Sequence, residues 1–487
     1  MNALNGGPVW WWVVVLVYAL GAVVAVRILL QNRNPVKTAS YILLMILFPP
    51  LGLVVVFLFG QQFRKQRTAR KKSMRSHAAW RRWEDRLLSR VQAQAPAVEA
   101  SLGHWAGLAA LVWRSRGGEL SLRNHTQLLM NGEQFFPALF EACRGAQHHI
   151  HIEFYIAEEG QVLDELWSIL IHKARAGVAV RLILDDVGSK GLPRRYARSL
   201  REAGGHIHFF QPVFFPLLSS GAHFRNHRKL AVIDGQTALT GGMNLSDRYL
   251  NQRDSKRVFW RDTGVWIQGD AVWSFQAQFL LSWDFVTQGK LPELDGLFPE
   301  ADKAGSEPVQ VVASGPDQDW GSILHATFKI IGDARSYLYI ATPYFVPNEQ
   351  IMTALQTSAL SGVDVRIMVP ARGDSVITQA ATFSYLKPVI EAGAKVYLYQ
   401  KGFLHAKTLV ADDSLAMVGT ANMDYRSFDI NWELNTLLFD RVRATALKQQ
   451  FVDDQGHCQP LTLVRWERRA HRRRWLESLA RLLAPLL

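Results

Sequence analysis

Cysteine is nearly missing: the 487 residues include two, Cys143 and Cys458, and neither belongs to a C-x-x-C pair. That excludes a disulfide framework and is compatible with a reduced compartment. No carboxylate cluster has the makings of a magnesium cage, so neither a metal nor another cofactor is expected. Charge is absent from residues 8–26, and no basic segment precedes that run. No small-residue cleavage site follows it either, which argues against a secretory signal peptide. Basic charge is also scarce where a nucleic-acid enzyme would need it. The net charge is +13, but residues 61–91 carry eleven Lys or Arg against two acids, and residues 465–487 carry seven Arg against two. These segments hold all the surplus, so the remaining body is close to neutral and no nucleic-acid partner is expected. Charge placed beside an apolar run and in a tail suits anionic lipid headgroups.

The length exceeds one ordinary core, and 48% hydrophobic residues is high for a soluble protein but low for a polytopic carrier. Residues 8–26, opened by Trp10, Trp11 and Trp12, reach across a hydrocarbon core of about 30 Å at about 1.5 Å per residue. After the polar turn Gln31-Asn32-Arg33-Asn34-Pro35 comes a second apolar run, residues 39–59. The expectation is a transmembrane helical hairpin within residues 1–62. Arg27, Arg33 and Lys37 lie between the runs, whereas Arg64, Lys65, Arg67, Arg70, Lys71, Lys72 and Arg75 follow the second. The heavier cluster places the catalytic body in the cytoplasm. Pro49-Pro50-Leu51-Gly52 leaves open a kink or a re-entrant segment.

The rest of the chain is one pattern written twice. The strand-like run His149-Ile150-His151-Ile152-Glu153-Phe154-Tyr155-Ile156 has its counterpart in Tyr337-Leu338-Tyr339-Ile340-Ala341-Thr342-Pro343-Tyr344-Phe345-Val346. Each is followed by a helical stretch, a second strand after Ala176-Gly177 or Ser361-Gly362, and Glu-Ala-Gly at 202–204 or 391–393 leading into a third. Strand, helix, strand at this spacing predicts an α/β fold with largely parallel pairing. The expected divisions are a basic juxtamembrane linker at 63–118, halves at 119–300 and 307–465, and a tail at 466–487.

The repeat carries its chemistry with it. His227-Arg228-Lys229 leads to Asp234 and Gly241-Gly242-Met243-Asn244, and His405-Ala406-Lys407 leads to Asp412 and Gly419-Thr420-Ala421-Asn422. One H-x-K would be weak evidence; two in matched positions with the same Asp and Asn spacing are strong. His and Lys two apart on a strand share a face. Asp234-Gly235 and Asp412-Asp413 read as hairpin turns that return the Asn beside the His. Their place in the turn favours a structural over a catalytic role for Asp234 and Asp412. Two such hairpins together would make one site. Lys229, Lys407, Asn244 and Asn422 would bind a phosphate there, with glycines allowing close backbone approach. One neutral His can attack phosphorus while the other, protonated, donates to the leaving oxygen. Asp262 and Glu433 open matched strands later in each half and would orient the two imidazoles. His223, four residues before His227, sits where a loop runs into a strand, so the two do not form a helical metal pair.

These paired motifs resemble the phospholipase D superfamily over nearly the whole chain, and most closely its two-span bacterial cardiolipin synthases. Supporting residues are Arg33-Asn34-Pro35, Glu153-Phe154-Tyr155-Ile156, Arg225-Asn226-His227-Arg228-Lys229, Thr342-Pro343-Tyr344-Phe345-Val346-Pro347 and Asn422-Met423-Asp424-Tyr425-Arg426-Ser427. The resemblance implies duplicated phospholipase D-like α/β domains sharing one active site. It also implies transfer of a phosphatidyl group between two phosphatidylglycerols through a phosphohistidine, and a bacterial inner-membrane location. It takes His227 as nucleophile, His405 as acid, and Lys229, Asp234, Lys407 and Asp412 as members of the catalytic motifs; the near-symmetric sequence alone does not choose between the histidines. The second copy departs from Gly-Gly-x-Asn at Thr420.

Competing readings are a phospholipase D using water or another alcohol, a nuclease, and an inactive lipid-binding scaffold. The spans and neutral body disfavour the nuclease, and intact His and Lys in both copies disfavour the scaffold. Trp475, Leu476, Leu479, Leu482, Leu483 and Leu486 follow helical spacing after the arginines of 468–474. That tail suits either an anionic membrane surface or packing on the body. Oligomeric state is left open.

Overall fold

The computed structural model describes residues 9–30, 35–59, 102–213, 223–251, 258–300 and 305–484. The basic segment 61–91 and the turn residues 31–34 lie outside them. Chain contacts separate residues 1–71 with 215–221 from a larger unit of residues 72–214 and 222–487.

In the smaller unit, Val9–Leu29 is helical, and Trp11–Leu29 is long and apolar enough to cross a membrane. The second apolar run differs from the expected span. It forms two helices, Pro35–Leu47 and Pro49–Phe59. Proline disfavours helical geometry in the residue before it, so the first helix stops short of Phe48. The chain then turns so sharply that a Cβ on Gly52 would lie 2.7 Å from the Met45 Cα, and only glycine fits. Lengths of 13 and 11 residues correspond to about 20 and about 16 Å, each short of the roughly 30 Å core. Ile28, Met45 and Val56 pack the three helices together.

The larger unit contains the repeat as two mixed sheets. The first runs, in spatial order, Asn124–Met130, Thr263–Gly269, Thr237–Gly241, Leu230–Ile233, His149–Phe154, Ala179–Asp185, His206–Phe210. The second repeats that order as Val309–Ser314, Glu433–Leu438, Leu415–Gly419, Thr408–Ala411, Tyr337–Ala341, Asp364–Pro370, Lys395–Tyr399. It adds an edge strand on each side, Leu120–Ser121 and Cys458–Leu461. Pairing is parallel only among the last three matched strands of each sheet. The rest is antiparallel, against the expectation, because a strand returned by a three-residue turn must run backwards.

The strands alternate between two cores. Leu230 and Val232 face a core that also holds Tyr339, Val410 and Trp432 of the other half. Ala231 and Ile233 face helices of their own half. Both faces are therefore buried, which explains the near-continuous apolar strands. Leu120–Ser121 pairs with the second sheet, and the helix Ala106–Arg114 buries Leu108 and Val112 in the second half's core. Part of the stretch read as linker is thus folded onto the second half.

The hairpin turns form as the sequence predicts. Asp234 and Gly235 have φ of 51° and 64°, Asp412 and Asp413 of 52° and 50°, the left-handed region Asp tolerates better than most residues. Asp234 accepts the amides of Gln147, His148 and His149 at 2.7–2.8 Å. Asp412 accepts those of Arg335, Ser336 and Tyr337 at 2.8–3.1 Å. Each carboxylate ties its turn to the start of the neighbouring strand. Asp234→Ala and Asp412→Ala each strand three amides and should lower unfolding stability by about 2–4 kcal/mol, read by denaturant melts in detergent. Unchanged melting with lost activity would instead make these residues catalytic.

Candidate active site

Each H-x-K motif sits immediately before its strand, at the end opposite the Asp. Before His227, Asn226 is held by its amide on Asp185 (2.9 Å) and by its side chain on Glu153. The segment pairs with the other half: Asn226 forms a parallel bridge to Trp432, and the His227 amide donates to the Trp432 carbonyl at 2.9 Å. The second copy does the same in reverse. Gly402–Leu404 pairs in parallel with Phe259–Arg261, and the His405 amide donates to the Arg261 carbonyl at 2.7 Å. The residue after Trp432 is Glu433 and the residue after Arg261 is Asp262. Each imidazole therefore meets the carboxylate of the opposite half.

Glu433 accepts from His227 Nδ1 at 2.9 and 3.0 Å, and Asp262 accepts from His405 Nδ1 at 2.7 Å. A carboxylate on Nδ1 puts the proton there and frees Nε2 for chemistry. Both histidines line one cavity of about 360 Å³, together with Asn244 and Asn422. The two lysines are buried and are not among the residues that line it; each is tied to the histidine of its own motif. Lys229 Nζ donates to the His227 carbonyl at 2.6 Å, and Lys407 Nζ donates to the His405 carbonyl. Each Asn uses one amide N–H internally, on Tyr249 (3.1 Å) and on Asp424 (3.0 Å), and retains a second. Asp234 and Asp412 do not reach this cavity.

The glycines act differently from the expectation. A Cβ on Gly242 would lie 2.2 Å from an Asp262 carboxylate oxygen, so this glycine makes room for Asp262. In the second copy Thr420 stands there, and its hydroxyl donates to the Glu433 carboxylate. The Gly-Thr departure thus accompanies a change in how the acid is held.

Burial dominates the electrostatics. It pushes the His227 imidazole down to about 4, against the opposing pull of Glu433 and helped by Lys229. Burial and then Lys407 push His405 to about 3, against Asp262. Burial also lowers Lys229 to about 7 and Lys407 to about 8, the carboxylates opposing. Burial would lift Glu433, but His227 and Lys229 outweigh it and hold the carboxyl low. A phosphate anion entering between these groups favours their protonated forms. The site is a neutralising cradle with two nitrogens facing inward, suited to displacement at phosphorus.

Several cavity residues had no signal in the repeat. Tyr249 places its hydroxyl 3.3 Å from His405 Nδ1. The Tyr155 ring lies against His227 (5.0 Å) and under the Lys229 ammonium (5.4 Å). Arg225, Arg426 and Asp424 also line the wall, and burial and Glu433 raise the Asp424 carboxyl to about 6. Arg225, Tyr155, Asp424 and Arg426 lie inside the motifs quoted above, but nothing in their spacing assigns them a task. His223 lies apart from any metal cluster; among the described residues no group of three or more His, Cys, Asp or Glu could hold an ion.

A family model described as "Cardiolipin synthase, PLD-like domain" matches residues 139–280 and 328–455. The chain is 41% identical over 465 residues to a cardiolipin synthase of Geobacillus sp. (strain WCH70), covering 95% of this chain and 91% of that one. It is 38% identical over 469 residues to cardiolipin synthase 2 of Bacillus anthracis, covering 94% and 88%. Among solved structures it is similar in fold to a phosphatidylserine synthase of Haemophilus influenzae Rd KW20, with a TM-score of 0.56 at 14% identity, over 77% of this chain and all of that one.

The lowered lysines make anion binding sensitive to alkali. Lys229 near 7 and Lys407 near 8 lose charge as pH rises from about 7 to 9. Affinity for tungstate, whose charge is constant over that range, should fall as pH rises above these free-site values, by up to about tenfold per pH unit for each lysine that binding protonates, and level off once the raised pKa of the complex is passed. Lys407→Arg should flatten the fall. Calorimetric titration reads it, and a pH-independent affinity would remove the lysines from the anion site.

Proposed function

Since the chain belongs to the cardiolipin synthase family of phospholipase D-like proteins, we propose that it transfers a phosphatidyl group from one phosphatidylglycerol to another. The observation that carries this reading is the pair of crossed imidazole–carboxylate contacts, whose two histidines line one cavity and each hold a buried lysine on the backbone carbonyl.

Lys229 and Lys407, with the free N–H groups of Asn244 and Asn422, neutralise and orient the phosphodiester. His227 Nε2 attacks phosphorus and the bond to the glycerol headgroup breaks. His405, protonated while the phosphate anion is bound, gives its proton to the departing glycerol oxygen. The phosphatidyl group is now on His227. A glycerol hydroxyl of a second phosphatidylglycerol attacks it, His405 takes back the proton, and cardiolipin leaves with His227 restored. Glu433 holds the His227 tautomer and steadies its positive charge; Asp262 does the same for His405. His227 is taken as nucleophile because it lies in the first motif. No step calls for a metal. A phospholipase D hydrolase shares the first half of this path and differs only in the acceptor.

The anchor is residues 9–59, in a bacterial inner membrane, with the catalytic body in the cytoplasm. The two short helices after the first span are too short to cross singly, which favours one full crossing followed by a re-entrant pair. All the basic residues from Arg27 to Arg75 then lie on one side, as the positive-inside tendency prefers. A tag at the N-terminus should accordingly be reached by protease from outside the cell membrane. Protection of the tag would restore two complete crossings.

Purified protein in detergent, given phosphatidylglycerol and a chelator, should yield cardiolipin and glycerol in equal amounts by mass spectrometry. His227→Ala should yield neither, and His405→Ala should turn over about 10²–10⁴-fold more slowly. Phosphatidic acid without cardiolipin would replace the transferase with the hydrolase.

A further inference from the structure

The C-terminal helix His471–Leu482 packs on the body through few residues, none of them a large apolar one. Glu477, Ala480 and Ala484 are buried against the body. Glu477 takes two hydrogen bonds from Arg469, at 2.6 and 2.7 Å. Trp475, Leu479 and Leu482 project outward, 73%, 57% and 76% exposed, with Leu476 and Leu483 beside them. A helix of a water-soluble body turns its apolar stripe to the core. This one is held to the body by small and charged residues and gives its apolar stripe to the surroundings, a patch that calls for a cover.

Two features of the surroundings identify that cover. Arg472, Arg473 and Arg474 are exposed in the first turns of the same helix, and Arg465 and Arg468 precede them, also exposed. The helix also leads to the active site. It lies on Val376–Glu391: Arg474 and Glu477 sit near Lys387 and Pro388, while Arg481 donates to the Ser384 carbonyl and covers the Tyr385 ring. The two helices thus run antiparallel, and the tail's last turn heads for Val376 and Ile377, both exposed. The next residue, Thr378, lines the catalytic cavity.

We infer that the outer face of this helix, with Val376 and Ile377, rests on an anionic bilayer and sets the cavity mouth at the lipid surface. Arginines on the headgroups and Trp and Leu at the acyl boundary are the chemistry of interfacial helices. The surface follows from the packing, but its purpose rests on the phosphatidyl-transfer reading.

The test uses the full chain in vesicles. Cys143 is buried, so Cys458→Ser leaves Leu479→Cys as the one accessible thiol for a fluorescent NBD label. Vesicles of phosphatidylcholine, with or without phosphatidylglycerol, carry a doxyl-labelled lipid quencher. Quenching should be several-fold stronger with phosphatidylglycerol and should weaken in Arg472→Gln/Arg473→Gln/Arg474→Gln. The variant Leu479→Ser/Leu482→Ser should turn over bilayer phosphatidylglycerol about fivefold more slowly, yet leave turnover of a monomeric short-chain phosphatidylglycerol unchanged. An unquenched label overturns the inference, whether the label is in water or, with blue-shifted emission that depends on protein concentration, under a second copy. Equal quenching in both vesicle types overturns the anionic preference. If the unsubstituted protein transfers neither lipid, the function proposed above fails, and quenching alone still decides the surface.

Discussion

The parallel pairing between the segment before each histidine and the segment before the opposite half's carboxylate is the contact on which this architecture depends. It is short: one bridge at Asn226 and Trp432, three residues at Gly402–Leu404 and Phe259–Arg261. Yet it sets the register of both imidazoles. Because Glu433 and Asp262 each directly follow the paired residue, the same backbone contact that joins the halves delivers a carboxylate to Nδ1 on each side. Neither half has a complete site by itself. The shared core of Val232, Tyr339, Val410 and Trp432 holds the sheets together behind it.

That arrangement makes the charges interdependent. Lys229, His405, Lys407, Asp262 and Glu433 are buried and His227 is mostly so, in surroundings where unpaired charge is very costly. They are tolerated because each has a partner of opposite sign or a backbone carbonyl. The lysines lower the histidines, the carboxylates raise them, and burial leaves the lysines ready to lose their protons near neutrality. An arriving phosphate anion is the charge that this set is short of. In the proposed reaction, selection of a phosphate ester rests on this balance across both halves.

Much of this was legible in the chain. Apolar strand-like runs, Asp-marked turns and the doubled motif located both hairpins, and Asp234 and Asp412 sit at the turns their spacing implied. The exceptions have physical causes. Parallel pairing was overestimated because strand, helix, strand units are parallel, whereas the hairpins that carry the motifs return through three residues. Gly242 was read as room for phosphate, yet what needs the room is the Asp262 carboxylate, brought there by a neighbouring strand. The second apolar run was read as a span by hydropathy, with Pro49-Pro50-Leu51-Gly52 leaving a kink or a re-entrant segment open; the helix does break at Phe48-Pro49, and Gly52 lets Met45 close against it. Tyr249 lies in no repeated position, so no pattern announces it.

The sequence by itself determined the family, the duplication, the residues of the two motifs and the fact that two carboxylates accompany them, because these are properties of residue type and spacing. Only the tertiary structure decided which carboxylate serves which imidazole, since that is settled by pairing across 206 residues of chain for His227 with Glu433 and 143 for His405 with Asp262. It also decided which way the C-terminal helix faces. Its amphipathic pattern is the same whether the apolar stripe is buried or exposed, and the choice falls to what surrounds it: a buried seat for Ala480 and Ala484 on the body, and Arg469, just before the helix, for Glu477.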